Sequence, residues 1–281
     1  MQQDNQLSRF IQNALAEDLG DGDHTSRACI PADKEGKVYL LVKEHGVLAG
    51  VEVARQVFFE VDPNIQMEVL IVDGTQVNPG DIAFEATGNR ISLLAAERLL
   101  LNIMQRMSGI ATQTARLVRL VKGTHARLLD TRKTTPGMRF LEKQAVHIGG
   151  GSNHRFGLYD MIMIKDNHID FAGGIPQAIE RVHQYLKDHQ KDLRIEIEVR
   201  DMAELRQVLK VGGIDRIMLD NFSLADTRAA VDLINGRFET EASGGITENT
   251  IADVAGCGVD FISVGALTHQ IKSLDLSLKA R

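Results

Sequence analysis

Four positions set the frame of this chain. Glu198, Asp220, Ser243 and Gly265 each end a short apolar run and follow one another at intervals of roughly 21 to 23 residues, the pitch of a repeated strand and helix. From about Ala126 onward the runs RLLDT, DMIMIK, RIEIEVR, RIMLDN, FETEASGG and DFISVGAL read as buried parallel strands. Between them GIPQAIERVHQYLKDHQ, DMAELRQVLKVGG, SLADTRAAVDLINGR and ENTIADVAGCG carry apolar residues at spacings of three and four, the mark of helices that cover the strands. A doubly wound sheet brings functional residues together only at its switch point, whereas a barrel opens every strand end onto one mouth. Polar or glycine residues stand at every strand end here, so the barrel is the expected architecture.

The first hundred residues follow a different pattern. KVYLLVKEHGVLAG, IQMEVLIVDGTQV and IAFEATG read as strands, VEVARQVFFEV as a helix among them, and ISLLAAERLLLNIMQRM as a long helix. The expected division is an N-terminal α+β sandwich domain over residues 1–108 and a catalytic α/β barrel over 109–267. The tail, residues 268–281, alternates like a strand and is expected to return to the first domain.

Charge is unevenly placed. Between Leu128 and His168 six cations (Arg132, Lys133, Arg139, Lys143, Arg155 and Lys165) face Asp130, Glu142, Asp160 and Asp166, so this window carries +2 in a chain of net charge −6. The remainder therefore carries −8. A cationic pocket in an acidic protein suits a small polyanion, and with no Trp and only three Tyr a base-stacking surface for nucleic acid is not expected. No run reaches the roughly 18 uninterrupted apolar residues of a membrane span, and MQQDNQLSRF lacks the pattern of a secretory signal. Cys29 and Cys257 show no metal-ligand spacing, which fits a reducing, cytoplasmic setting.

The strand ends divide into three chemical zones. Asp130, Thr131, Arg132 and Lys133 precede a turn at Pro136 and Gly137, and GGGSNHR places His154 and Arg155 after a glycine triplet. A solvated turn would account for Arg132 and Lys133 alone, but Arg155 nearby favours a carboxylate held through paired hydrogen bonds. Lys165 ends the aliphatic strand MIMIK, either reaching solvent or standing at the barrel mouth. Glu198 and Asp220 end successive strands, where they could pair with a Lys or Arg or, with Asn221, offer hard oxygen ligands to Mg²⁺. Ser243, Gly244 and Gly245, then Gly265 one repeat later, place small residues at the last two strand ends, a common seat for phosphate.

Ordered blocks along the chain carry a family resemblance. EDLGDGDHTS, ERLLLNIMQRMSGIAT, DTRKTTPG, GGGSNHRFGLYD, IKDNH, EIEV, MLDNF, ASGGI and ISVGALTH are together similar to the quinolinate phosphoribosyltransferases. The resemblance implies an incomplete α/β barrel of about seven parallel strands behind an N-terminal sandwich. It also implies transfer of phosphoribose from phosphoribosyl pyrophosphate to quinolinate, with decarboxylation to nicotinic acid mononucleotide. By the same resemblance, Thr131, Arg132, His154, Arg155 and Lys165 would bind quinolinate. Lys133, Glu198 and Asp220 would meet phosphoribosyl pyrophosphate and its Mg²⁺, directly or through water, as the catalytic set. Ser243, Gly244, Gly245 and Gly265 would cradle the 5′-phosphate. Arg98 would enter from a second subunit, making a homodimer with shared sites, or a higher oligomer. Gln144, His147 and Gln270 depart from the family's usual residues, none at a substrate position. Two other chemistries remain compatible with the residues alone: a Schiff-base role for Lys165 as in barrel aldolases, and non-catalytic binding of a phosphorylated metabolite.

Overall fold

The elements follow from local pattern. In the computed structural model, which describes residues 2–281 and the side chains from Asn5 onward, the chain opens with α1 (Gln2–Leu19) and α2 (His24–Cys29). There follow β1 (Glu35–Val42), β2 (Gly46–Val47), α3 (Val51–Val61), β3 (Gln66–Val69), β4 (Gln76–Val77) and β5 (Ile82–Asn89). Then comes α4 (Arg90–Leu120), whose first turn is capped by the Asn89 side chain accepting from Ile91 and Ser92 N–H. In β1 every second residue, Val38, Leu40 and Val42, is buried, so one face meets the core while the other meets solvent.

The second half alternates strand and helix as its repeat predicts. β6 (Arg127–Leu129) leads to α5 (Arg139–Ile148), β7 (Ile162–Ile164), α6 (Asp166–Ala172), α7 (Ile175–Asp188), β8 (Ile195–Val199) and α8 (Met202–Val211). β9 (Arg216–Asp220), α9 (Leu224–Ile234), β10 (Glu239–Ser243), α10 (Ile251–Ala255), β11 (Phe261–Ser263), α11 (Ala266–His269) and β12 (Leu276–Ala280) complete the chain. Two of these helices begin at polar caps: Asp201 accepts from Ala203 and Glu204 N–H ahead of α8, and Ser223 from Asp226 N–H ahead of α9.

The chain divides into two compact units. The first holds residues 1–115, 135–150 and 270–281; the second holds 116–134 and 151–269. Its sheet in the first unit runs β12-β1-β5-β3, wholly antiparallel. The tail does return as expected, with Val38 opposite Ala280 and Val42 opposite Leu276. One difference from the expected division concerns α5, which belongs to the first unit and not to the barrel. The reason is its packing: Phe140 meets Phe10 of α1 edge to face, and the buried Glu142 accepts from Arg106 of α4 and from Thr135 N–H.

In the second unit six parallel strands run in the order β6-β11-β10-β9-β8-β7. A seventh stave is reduced to one bridged residue, Ser152, beside Leu129. This is the incomplete α/β barrel, its gap falling between that stave and β7. β8 is buried along its whole length, as a strand covered on both sides must be. No described helix is long and apolar enough to cross a membrane.

Candidate active site

Because side chains alternate along a strand, residues two apart share a face, and the pairing register carries that face across β8, β9 and β10. Glu198, the penultimate residue of β8, pairs with Met218, two residues before Asp220 at the end of β9, and Asp220 sits opposite Ser243, so all three side chains share one face. The sheet thus gathers residues that lie far apart in sequence. Lys165, one residue past β7, reaches Glu198: its Nζ donates to Oε2 at 2.6 Å. The Lys165 backbone is fixed in turn, since its N–H donates to His168 Nδ1 at 2.9 Å. Glu198 is nearly buried while Lys165 keeps 43% of its side chain exposed, so the ammonium remains open to a ligand.

The glycine-bearing ends form a second group. Asn221 N–H donates to Ser243 O at 2.9 Å, and a Cβ placed on Gly244 would lie 2.2 Å from Asn221 Oδ1. Gly244 and Gly245 both have positive φ, 94° and 61°, conformations that favour glycine. A Cβ on Gly265 would meet His269 Nε2 at 2.9 Å and Lys133 Cδ at 3.1 Å. Lys133 therefore lies against the Gly265 turn. Its backbone is held there by the buried Thr268, whose hydroxyl donates to Lys133 O at 2.7 Å, and by Thr131 Oγ1, which accepts from Lys133 N–H.

The third group is the basic one. Arg155 is half-buried, with Nη1 donating to Met161 O at 3.1 Å. Burial, and then the positive charge of Arg132, hold its guanidinium below the usual arginine value. A half-buried guanidinium beside a second positive charge suits a polyanion. The loop that follows is fixed by Asp160, which accepts from Phe156 and Gly157 N–H at 2.6 and 2.8 Å. Burial opposes its charge, but the two amides prevail and keep its carboxyl below the ordinary value.

His154 is placed otherwise than expected. Its side chain is 5% exposed, with Nε2 at 3.0 Å from Glu196 Oε2 and 3.4 Å from Glu241 Oε2. Its Nδ1 accepts from Arg155 N–H at 2.6 Å. Both ring nitrogens face the protein, so in this arrangement the ring does not itself present a donor to a ligand carboxylate. Burial disfavours a charged ring, but the Glu196 and Glu241 carboxylates facing Nε2 outweigh it and raise the imidazole to about 9. That pull does not fix the proton's seat. The Arg155 N–H needs a lone pair on Nδ1, so Nε2 carries the ring proton toward the two acids, while burial and Glu241 push the Glu196 carboxyl up.

Glu196, Glu241 and Arg216 did not stand out in the sequence. A signal was present: in IEIEV and ETEAS an acid stands two residues before each strand end, on the same face and one layer deeper. Arg98 lies exposed on α4 in the first unit. A cavity of about 360 Å³ opens beside Arg155, walled by Leu158, Met161, Ile164 and Ala178. None of Glu198, Asp220, Ser243 or Gly265 lines it, so it is not where the strand ends converge.

Residues 23–108 match the family model described as the quinolinate phosphoribosyl transferase N-terminal domain, and residues 110–279 match its C-terminal domain. The chain belongs to the quinolinate phosphoribosyltransferase family. It is 47% identical to the quinolinate phosphoribosyltransferase [decarboxylating] 1b of Nicotiana tabacum, over 97% of this chain and 82% of that protein. It is 41% identical to a probable nicotinate-nucleotide pyrophosphorylase [carboxylating] of Bacillus subtilis strain 168, over 97% and 93%. Among solved structures, the nicotinate-nucleotide pyrophosphorylase of Francisella tularensis superposes with a TM-score of 0.92 at 41% identity, covering 99% of this chain and 96% of that one.

Proposed function

We infer that this chain transfers phosphoribose from phosphoribosyl pyrophosphate to the ring nitrogen of quinolinate, releasing pyrophosphate and CO₂ and leaving nicotinic acid mononucleotide for NAD biosynthesis. Family membership supports the reaction. The observation that carries its assignment to this site is the placing of Arg155, half-buried on the wall of a cavity with the positive charge of Arg132 acting on it, a setting that suits a dianion.

Quinolinate is a planar dicarboxylate, and a site with little water must match its charge. Arg132, Arg155 and Lys165 supply that match, with Thr131 beside them and Arg98 completing it from a second subunit of a homodimer. So held, the pyridine nitrogen meets C1 of the ribose in line with the leaving pyrophosphate. The C–N bond forms as the C–O bond breaks, and positive charge develops on the sugar. Glu198 and Asp220 offset that charge from their strand ends. Lys133 lies against the Gly265 turn and reaches the diphosphate, while Ser243, Gly244 and Gly245 receive the 5′-phosphate through backbone N–H groups. The new ring nitrogen is cationic, and its charge stabilises the electron pair left on the adjacent carbon when the carboxylate departs as CO₂. That carbon then gains a proton. No covalent bond to the enzyme is required.

The fit to Mg²⁺ is limited to an outer role. Glu198 is engaged by Lys165 and Asp220 accepts from Asn221 Nδ2 at 2.9 Å, so the two carboxylates would hold the ion chiefly through water and substrate oxygens. When bound with phosphoribosyl pyrophosphate, the ion would stabilise negative charge on the leaving diphosphate. Both cysteines are free thiols, consistent with a reducing compartment such as the cytoplasm.

Mass spectrometry of purified protein incubated with quinolinate, phosphoribosyl pyrophosphate and Mg²⁺ should detect nicotinic acid mononucleotide. Arg132→Ala should abolish quinolinate binding by calorimetry, a loss of about 2–5 kcal/mol, and leave phosphoribosyl pyrophosphate binding in place. Unchanged quinolinate affinity in that variant would refute the assignment.

A further inference from the structure

Beneath the mouth of the barrel lies a layer that the reaction above does not use. Glu196 and Glu241 are fully buried, and Arg216, from the start of β9, is 6% exposed. Arg216 Nη1 donates to Glu241 Oε2 at 3.0 Å, Nη2 and Nε donate to Glu239 Oε2 at 3.0 and 3.1 Å, and the guanidinium carbon lies 4.0 Å from the Phe261 ring centre. Barrel interiors are ordinarily filled by Val, Ile and Leu, and a buried ion network contributes less stability than such packing. These charges call for another reason.

The contacts made by His154 supply one. On one edge its ring faces Glu196 and Glu241; on the other it accepts the Arg155 N–H. The His154 backbone N–H donates to the buried Asp130 Oδ1 at 2.8 Å, and the Asp130 N–H donates to Ser152 O at 3.2 Å. The chain from Ser152 to Arg155 is thus tied to Asp130, just past β6 and next to Thr131, Arg132 and Lys133, and, through the ring, to β8 and β10. An apolar side chain at position 154 would leave the Arg155 N–H without this acceptor.

We propose that Glu196 and Glu241 are positioning residues for the quinolinate end of the reaction, acting through His154 on Arg155. The proposal rests on the reading of Arg155 as a quinolinate ligand. His154, Glu196 and Glu241 also resemble a metal-ligand set, with one ligand atom of each within 4.8 Å of the others. Charge argues against that use: Arg216 already neutralises Glu241, and a divalent ion would add two further positive charges beside it.

The test uses Glu196→Gln and Glu241→Gln in the full chain, with Arg155→Ala alongside. Each Gln variant keeps the shape of the side chain but weakens its hold on the ring. The Michaelis constant for quinolinate should rise by about tenfold or more, while that for phosphoribosyl pyrophosphate stays within about twofold of the parent. Equal changes in both constants, or no change in either, overturn the proposal. If Arg155→Ala leaves the quinolinate constant unaltered, the underlying reading fails with it; if Arg155→Ala raises it and the Gln variants do not, only the positioning role fails. Should the Gln variants not fold, the parent protein is decisive: ¹⁵N spectra of ring-labelled histidine should show His154 Nδ1 bearing no proton. A protonated Nδ1, or a stoichiometric divalent metal in the purified protein, overturns the proposal.

Discussion

Asn221 shows how much of the site depends on single conformations. It is one of three non-glycine residues with positive φ among the described residues, at 54°, a costly setting for a residue with a side chain. The return is a double tether: its N–H donates to Ser243 O, and its amide donates to Asp220 Oδ2. Gly244 completes this arrangement, having a φ of 94° and no room for a Cβ beside Asn221 Oδ1. Gly244→Ala should therefore destabilise the fold by about 1–3 kcal/mol and weaken phosphoribosyl pyrophosphate binding more than quinolinate binding. Denaturant titration and calorimetry would measure the two effects, and unchanged stability would show that the turn can relax. The sequence exposed the glycines but not their partner, because the need for glycine here arises from a contact across two strand ends.

At the scale of elements, the strand pitch was legible and the barrel followed from it. Two things were less so. α5 has the same periodicity as the barrel helices, and only its contacts with Phe10 and Arg106 assign it to the first unit. The acids of β8 and β10 lay open to view in IEIEV and ETEAS, yet attention to strand ends passes over the layer beneath. That layer has a consequence for stability. Relative to the unfolded chain, in which histidine titrates near 6.5, the folded His154 cluster holds one more proton up to about pH 9. Its stabilising effect is complete below about pH 6.5 and is lost as the pH rises toward 9, at up to about 1.4 kcal/mol per pH unit and about 3 kcal/mol in all. Urea unfolding between pH 6.5 and 9.5 should show this decline, and Glu241→Gln should flatten it. A slope unaffected by that substitution would place the titrating group elsewhere.

For the molecule as a whole, the sequence located the cationic zone but could not say whether one chain completes it. Quinolinate carries two carboxylates, and Arg98 sits on an exposed face of α4 in the first unit. If Arg98 serves the site of a second copy, inactivating it in one chain and Lys165 in the other damages complementary halves. Arg98→Ala and Lys165→Ala homodimers should each be inactive. After unfolding and refolding as an equal mixture, half the dimers pair one chain of each kind, and each such dimer regenerates one intact site. The mixture should recover about a quarter of the parent activity per site, a value that a self-contained site cannot produce. Recovery near zero, with mixed dimers verified by native mass spectrometry, would mean that Arg98 acts within its own chain; an active Arg98→Ala protein would mean that it does not act on quinolinate at all.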